Sequence, residues 1–494
     1  MSMRFRFALV GVTLLTAVLR TRALFINDFH ADEALFGSWA RHIAVWRDPL
    51  LLTQAVDKPP LLFYLQALFY PFQGPVEWAA RLPNYIASIV LVPLVGVVVW
   101  RLLRRWETTV FAAALVAFSP MHIQFSASAF TDPLLTTFLF AAVALQLLWA
   151  NLRSPIPNPQ SPFLCGLFFG LSILTKHQAW LFLPLILATG LLIKWRRRNW
   201  LAWLRGFLPL LLVGWGWELV RNGRLTLISA QVDNVGGFGL VEWAELGNRF
   251  VEWGKLGQYV VSYWVVGVLV IGFLTQRHKG CKGGKERKKL SFVSLSSSSL
   301  CVKYVLHLFA FIFGYSALHL FLDIPVWDRY FLPLVPLTAV LLAGVFHQIK
   351  VQPNWRIGYW LLVIGVLVPG AVGGMNGRFP IGARPFADSG VGVVANSLAD
   401  EPYGTVLYDH WYSWHWRYHL FDKKVHLNWF PDEDELVIDL NGFYEENAVR
   451  YLALPNDARS LPVESALDDA GYLLQQVPIA GESDIILYRI ELEE

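Results

Sequence analysis

Charge is scarce in this 494-residue sequence: Asp, Glu, Lys and Arg make up 16% of it, against 55% hydrophobic residues. A soluble domain carries about 25% charged residues, so a depletion of roughly a third excludes a water-soluble globule as the main body of the chain. Cysteine is scarcer still. Cys165, Cys281 and Cys301 are the only three, and none lies in the polar last quarter, which therefore has no disulfide framework to staple it. Neither charge sign dominates, and a formal net charge of +4 gives no electrostatic case for nucleic-acid binding. The basic start, Arg4 and Arg6 before an apolar run from Ala8, lacks a small-x-small cleavage site ahead of Arg20 and Arg22. It reads as a retained first helix rather than a removed signal.

Apolar and aromatic side chains fill the space left by charge. The 22 Trp and 34 Phe suit helices that need anchors at two membrane interfaces. Hydrocarbon cannot satisfy open backbone groups, so long apolar runs cross it as helices. Such runs fall near 7–26, 84–103, 108–125, 133–151, 162–175, 179–195, 199–220, 259–275, 303–322, 330–347 and 355–374, with 162–175 the shortest. They predict a polytopic α-helical membrane protein of about eleven transmembrane helices. Arg4/Arg6, Arg101/Arg104/Arg105, Arg153, Lys194 with Arg196–Arg198, the basic stretch Arg277–Lys289 and Lys350/Arg356 all fall on one side. The positive-inside rule makes that side cytoplasmic and puts the C-terminal region outside.

Residues 276–302, with their Lys/Gly cluster and serine run, read as a flexible inner loop, and 223–257 as an aromatic-rich outer loop. In the first outer loop, 27–83, the stretches 32–46 and 60–72 are helical in character but too polar or short to span, which suits interfacial amphipathic helices. From about 376 the composition turns polar. β-prone runs appear at Gly404–Tyr408, Val449–Leu454 and Ile485–Ile490, with helix-like stretches at Asp409–Phe421 and Pro462–Gly471. The expected division is a transmembrane domain, 1–375, and a small extracytoplasmic α/β domain, 376–494. In the latter, His410, Trp411, Trp414, His415 and Trp416 suit a sugar ring, a membrane contact or a domain core, the core being the safer assignment.

The outer loops gather ionisable residues where positive charge is disfavoured. They hold Asp28, His30, Asp32 and Glu33, then Asp57-Lys58-Pro59-Pro60, Arg81, Thr131-Asp132, Lys176-His177 and Asp328-Arg329-Tyr330. Taken singly, each could be a snorkelling cation or a polar loop. Together they suit an anion site with an acid or base beside it.

The order of these motifs resembles the GT-C glycosyltransferases of the protein O-mannosyltransferase and lipid A aminoarabinose transferase type. The resemblance covers about residues 5–345. It is carried by Asp32-Glu33, Asp57-Lys58-Pro59-Pro60, Ala80-Arg81-Leu82-Pro83, Ser119-Pro120 followed by Thr131-Asp132, Leu174-Thr175-Lys176, and Arg329-Tyr330 with Pro333 and Pro336. It implies transfer of a sugar from a polyprenyl-phosphate-linked donor to a lipid, glycan or protein acceptor on the outer face, with inversion. A bacterial inner membrane fits the topology.

On that footing Asp32 is the expected general base, with Glu33 as alternate; either could instead cap the helix that follows. Lys58, Lys176 and Arg329 are the expected cations for the leaving phosphate, with Arg81 and Arg20 behind them, although Arg81 could instead hold the loop together. Asp57, Asp132 and Tyr330 are expected to shape the loops or touch substrate. No cofactor is firmly implied. A divalent metal on His30, Asp32 and Asp57 stays open. The rival readings are a transporter or lipid flippase, which should carry charges or helix breaks mid-span, and a non-catalytic envelope-assembly subunit of the same fold.

Overall fold

The computed structural model describes residues 3–151, 160–224, 227–233, 237, 239–270, 299–349, 356–442 and 448–492. Its helical part comprises α1 (Met3–Ile26), α2 (Ala31–Ala44), α3 (Leu61–Gln73), α4 (Glu77–Leu103), α5 (Trp106–Ala117), α6 (Pro120–Ser126), α7 (Asp132–Asn151) and α8 (Gln160–Thr175). After a 3-10 turn at His177–Phe182 come α9 (Leu183–Leu192), α10 (Arg197–Asn222), α11 (Leu227–Asp233), α12 (Leu246–Val260) and α13 (263–270). The bundle ends with α14 (Ser299–Phe321), α15 (Leu334–Gln348) and α16 (Arg356–Met375).

Each apolar run named above overlaps helix within the described residues, but several are broken and the spans are uneven. Among the described residues, α1, α4 and α14 are long and apolar enough to cross a membrane alone, and the bent pair α5–α6 makes a fourth. Six further apolar helices or helix segments are shorter, among them α7, α8 and α15. The expected inner loop 276–302 lies outside the described residues up to 298.

The run 108–125 breaks into α5 and α6 with a 55° bend. Pro120 has no N–H to continue the ladder, and the Ser119 hydroxyl caps the new helix at the His122 N–H. The carbonyls of Val116 and Ala117, left open at the end of α5, accept from the buried Arg20 guanidinium at 3.3 and 3.2 Å. Elsewhere the bundle relies on small residues for close approach. Where α8 crosses α10, a Cβ on Gly166 would sit 2.0 Å from the Trp203 carbonyl oxygen, and one on Gly206 would sit 2.1 Å from that of Phe163.

The polar end of the chain folds around a five-stranded sheet of order β2-β1-β3-β5-β4, with β1 (Val406–Asp409), β2 (His426–Trp429), β3 (Arg450–Pro455), β4 (Tyr472–Gln476) and β5 (Ile485–Leu492). β2 and β3 run parallel to β1, while β5 is antiparallel to both β3 and β4. Alternation along the strands sorts two cores. Leu407, Tyr451, Ala453 and Leu487 face one side with Trp416, whereas Tyr408, Leu452, Leu454 and Ile490 face the other with Leu436 and Leu467. The β-prone runs expected around 404–408, 449–454 and 485–490 are therefore strands. Of the aromatic cluster, Trp416 is fully buried core and His415 is buried, whereas Trp414 is exposed.

This sheet domain packs on the first loop of the bundle. Helix α18 (Ser413–His419), the second helix after α16 and following α17 (Val391–Ser397), lies against α2. The His415 Nε2–H donates to the Phe29 carbonyl at 2.9 Å, and the Tyr418 hydroxyl donates to that of Pro75 at 2.6 Å. Arg41 donates to the Tyr418 carbonyl and pairs with Asp422. Gly37 is required at the crossing, since a Cβ there would meet the rings of both Phe29 and Tyr418 at 3.0 Å.

Candidate active site

The stretch leading into α2 is held by a buried lock. His30 is the N-cap, its ring nitrogen accepting from the Asp32 N–H at 3.2 Å, and Glu33 completes a capping box by accepting from the His30 N–H at 3.0 Å. Glu33 also accepts from the Ala129 N–H at 2.6 Å and from Arg81 Nε at 3.0 Å. Arg81 in turn donates to the carbonyls of Asn27 and Asp28, and its guanidinium lies over the Phe29 ring. Both side chains of the Glu33–Arg81 pair are fully buried. One residue earlier on the helix, Asp32 points elsewhere.

Asp32 faces a cavity of about 500 Å³. Three carboxylate–cation pairs line it, close enough to feel one another's charge. Arg329 Nη1 donates to Asp32 at 2.6 Å, Lys176 Nζ to Asp132 at 2.7 Å, and Lys58 pairs with its neighbour Asp57. These six residues come from five separate stretches of chain: the start of α2, the loop before α3, the two ends of the α7–α8 hairpin, and the turn Asp328–Phe331 before α15. Tyr330 shapes the floor, with the Lys176 ammonium over its ring at 5.3 Å and its carbonyl accepting from Tyr315 at 2.9 Å. Apolar side chains also line the cavity: Leu181, Ile228, Val232, Leu318, Leu322 and Ile324.

The electrostatics follow from burial and pairing. Burial alone would raise the Asp32 carboxyl, but the Arg329 charge and hydrogen bond, helped by His30 and Lys58, bring it below the usual carboxylate range. Loss of water pulls the Lys176 ammonium down to about 8, against the attraction of Asp132. Burial, with Lys58 nearby, lowers the His177 imidazole to about 4, which leaves it neutral near pH 7.

The structure thus brings together Asp32, Asp57, Lys58, Asp132, Lys176, Arg329 and Tyr330 on one cavity. Glu33 and Arg81 do not line it; they form the lock described above. Arg20 lies away from it, on the α5–α6 break, where its guanidinium also contacts His122 Nδ1 at 2.7 Å. Among the described residues no three His, Cys, Asp or Glu side chains converge as a metal-binding group. His30, Asp32 and Asp57 are each turned to other partners: His30 to a backbone N–H, Asp32 to Arg329, and Asp57 to Lys58. Sequence reasoning missed Gln178 and His319, which also line the cavity. His319 had only a weak signal, one of two histidines in a mostly apolar helix.

Comparison with known proteins decides the fold. Residues 57–217 match the family described as dolichyl-phosphate-mannose-protein mannosyltransferase. The crystal structure of ArnT from Cupriavidus metallidurans bound to undecaprenyl phosphate superposes with a TM-score of 0.63 at 13% identity, covering 99% of this chain and 98% of that one. The chain has the GT-C fold. The same architecture extends to the oligosaccharyltransferase AglB of Archaeoglobus fulgidus, in complex with an inhibitory peptide and a dolichol-phosphate, with a TM-score of 0.52, 12% identity, and coverage of 98% of this chain and 74% of that one. No curated protein matches the sequence. This GT-C chain is a membrane protein, as its apolar helices require. The family match spans Lys58, Arg81, Asp132 and Lys176 but stops short of Asp32 and Arg329, which the fold brings to the same cavity.

Proposed function

We propose that this protein transfers a hexosyl or pentosyl unit from a polyprenyl-phosphate donor to a lipid, glycan or protein acceptor, with inversion, on the outer face of a bacterial inner membrane. In this reading 1–375 is the catalytic bundle and 376–494 an extracytoplasmic domain. One observation carries the proposal: three cations, each balanced by a carboxylate, line one cavity together with a broad set of apolar side chains. That combination matches a donor with an anionic phosphate head and a hydrocarbon tail.

The chemistry assigns each residue. The acceptor hydroxyl gives its proton to the Asp32 carboxylate while its oxygen bonds the anomeric carbon. The bond from that carbon to the phosphate oxygen breaks, and its electron pair leaves with the phosphate. Arg329, Lys176 and Lys58 stabilise the developing charge. Undecaprenyl phosphate bound to the Cupriavidus metallidurans ArnT, and dolichol-phosphate on AglB, support this choice of donor class.

The test is mass spectrometry of cell-envelope lipids, glycans and glycoproteins from strains with and without the gene, complemented by the Asp32→Asn variant. A sugar-bearing species is expected to disappear without the gene and to stay absent with the variant. Identical envelopes in all strains would overturn the reading.

A further inference from the structure

Asp32 and Arg329 hold each other in the structure, yet the proposed reaction needs both for other partners. A base bonded to a guanidinium at 2.6 Å is a weak base, and a guanidinium committed to a carboxylate is only half available to a phosphate. We propose that Arg329 exchanges its partner, moving from Asp32 to the donor phosphate as the donor enters, so that the base is released only when there is a donor to use it. This inference rests on the donor reading above.

The geometry favours this pair over the other two. Lys176 and Asp132 are both almost wholly buried, with side chains 7% and 1% exposed, so separating them would strand a charge away from water. Lys58 and Asp57 are adjacent in sequence, and their pairing is tied to one short loop. Asp32 and Arg329 come from stretches 297 residues apart, and at 35% and 17% exposure they form the pair most open at the carboxylate.

Arg329 is also built to change partner without losing its place. Its guanidinium lies over the Trp327 ring at 4.7 Å and the Phe130 ring at 5.3 Å. Cation–π contacts of this kind hold the charge near the rings while leaving its N–H edge free to turn. Its backbone is fixed separately: Asp328 accepts from the Arg329 N–H at 2.7 Å and from the Gly382 N–H at 2.8 Å.

The groups that set the charge on Asp32 all face it from the surrounding elements. They are His30 on its own loop, Lys58 before α3, and Arg329 before α15, with Asp57, Asp132, Lys176 and His177 on the same cavity. Of these, Arg329 is the one bonded to Asp32 through its side chain. When it turns to the phosphate, Asp32 regains the basicity of an ordinary carboxylate. After transfer Asp32 carries the acceptor's proton. Departure of the polyprenyl phosphate returns Arg329, and the proton passes to water.

The exchange makes a prediction opposite to that of a residue that simply helps to hold the donor. If Asp32 competes with the phosphate for Arg329, removing the Asp32 charge should tighten phosphate binding. The assay is binding of undecaprenyl phosphate to the purified full-length protein in detergent, measured for wild type, Asp32→Asn, Arg329→Gln and the double variant. Asp32→Asn is expected to bind roughly tenfold more tightly than wild type, between the small worth of an exposed ion pair and the larger coupling of a desolvated one. In the Arg329→Gln background the same change should shift affinity less than about twofold, because the competition has gone.

Unchanged or weaker binding by Asp32→Asn would overturn the exchange. So would an equal gain in both backgrounds, since that gain would come from the general charge of the cavity and not from Arg329. If Arg329→Gln does not fold, Arg329→Lys serves in its place, with a reduced gain expected because an ammonium cannot span both partners as the guanidinium fork does. Wild-type protein that binds no undecaprenyl phosphate would remove the donor reading itself, which keeps the two failures distinct.

Discussion

Arg81→Ala is the perturbation whose size the structure sets most directly. The guanidinium is wholly buried and meets Glu33 Oε1 at 3.0 Å, with Glu77 at 3.9 Å as a second, partly exposed carboxylate. Its removal leaves the buried Glu33 with the two backbone donors of His30 and Ala129 but no counter-charge. The Asn27 and Asp28 carbonyls lose a donor as well. Breaking one side of such a pair costs about 3–5 kcal/mol. Glu33→Gln should cost less, because glutamine can still accept from the two N–H groups and Arg81 keeps the Asn27 and Asp28 carbonyls. The double variant Glu33→Gln/Arg81→Met should recover part of the Arg81→Ala loss, since no unpaired charge stays buried. The assay is thermal unfolding of the detergent-purified protein, followed by turnover of the fraction still folded. A full-strength melting transition in Arg81→Ala, joined to abolished turnover, would refute the lock and return Arg81 to the phosphate.

Further outcomes follow from the same geometry. Asp32→Asn should lower transfer by about two or more orders of magnitude, a typical general-base contribution, with little change in melting temperature; near-normal transfer would remove Asp32 as the base. Lys58→Ala should cut turnover strongly in a folded, inserted protein while Lys58→Arg keeps part of it, and full activity in Lys58→Ala would take Lys58 out of the site. The profile of kcat/KM for the donor against pH reports the free enzyme. Because Lys176 loses its charge as pH rises through about 8, that profile should fall above about 8, while the depressed Asp32 keeps the acid limb below the ordinary carboxylate range. A profile flat to pH 10 would mean that Lys176 is not needed as a cation. In a cysteine-free background, cysteines placed at the exposed Arg104 and Tyr403 should label from opposite sides of the membrane, and labelling from the same side would overturn the orientation.

Much of this molecule was legible because composition and local pattern determine it. Apolar runs gave the helices, and the β-prone runs around 406, 450 and 485 gave three strands of the sheet. The motif order led to Asp32, Lys58, Lys176 and Arg329, and the fold brings all four to one cavity. What the sequence concealed was direction. Asp32 and Glu33 are neighbours and equally acidic, and only the helix turn sends one into the cavity and the other into the capping box. Arg20 has the charge of a phosphate ligand, but its partners are carbonyls opened by the Ser119-Pro120 break, some hundred residues away. Strands β2 and β4 are short and half polar, with burial too irregular to show an alternation.

The contact between α18 and the loop leading into α2 also has a consequence in time. Phe29 and His415, which bond each other, lie 386 residues apart. A ribosome adding about 5–20 residues per second needs roughly 20–80 s to travel from one to the other. Throughout that interval the segment bearing Asp32 lacks the helix that clamps it from above. A chain cut short before residue 413 never acquires that clamp, however well its bundle inserts. The packing that holds this loop is therefore complete only when the end of the chain has been made.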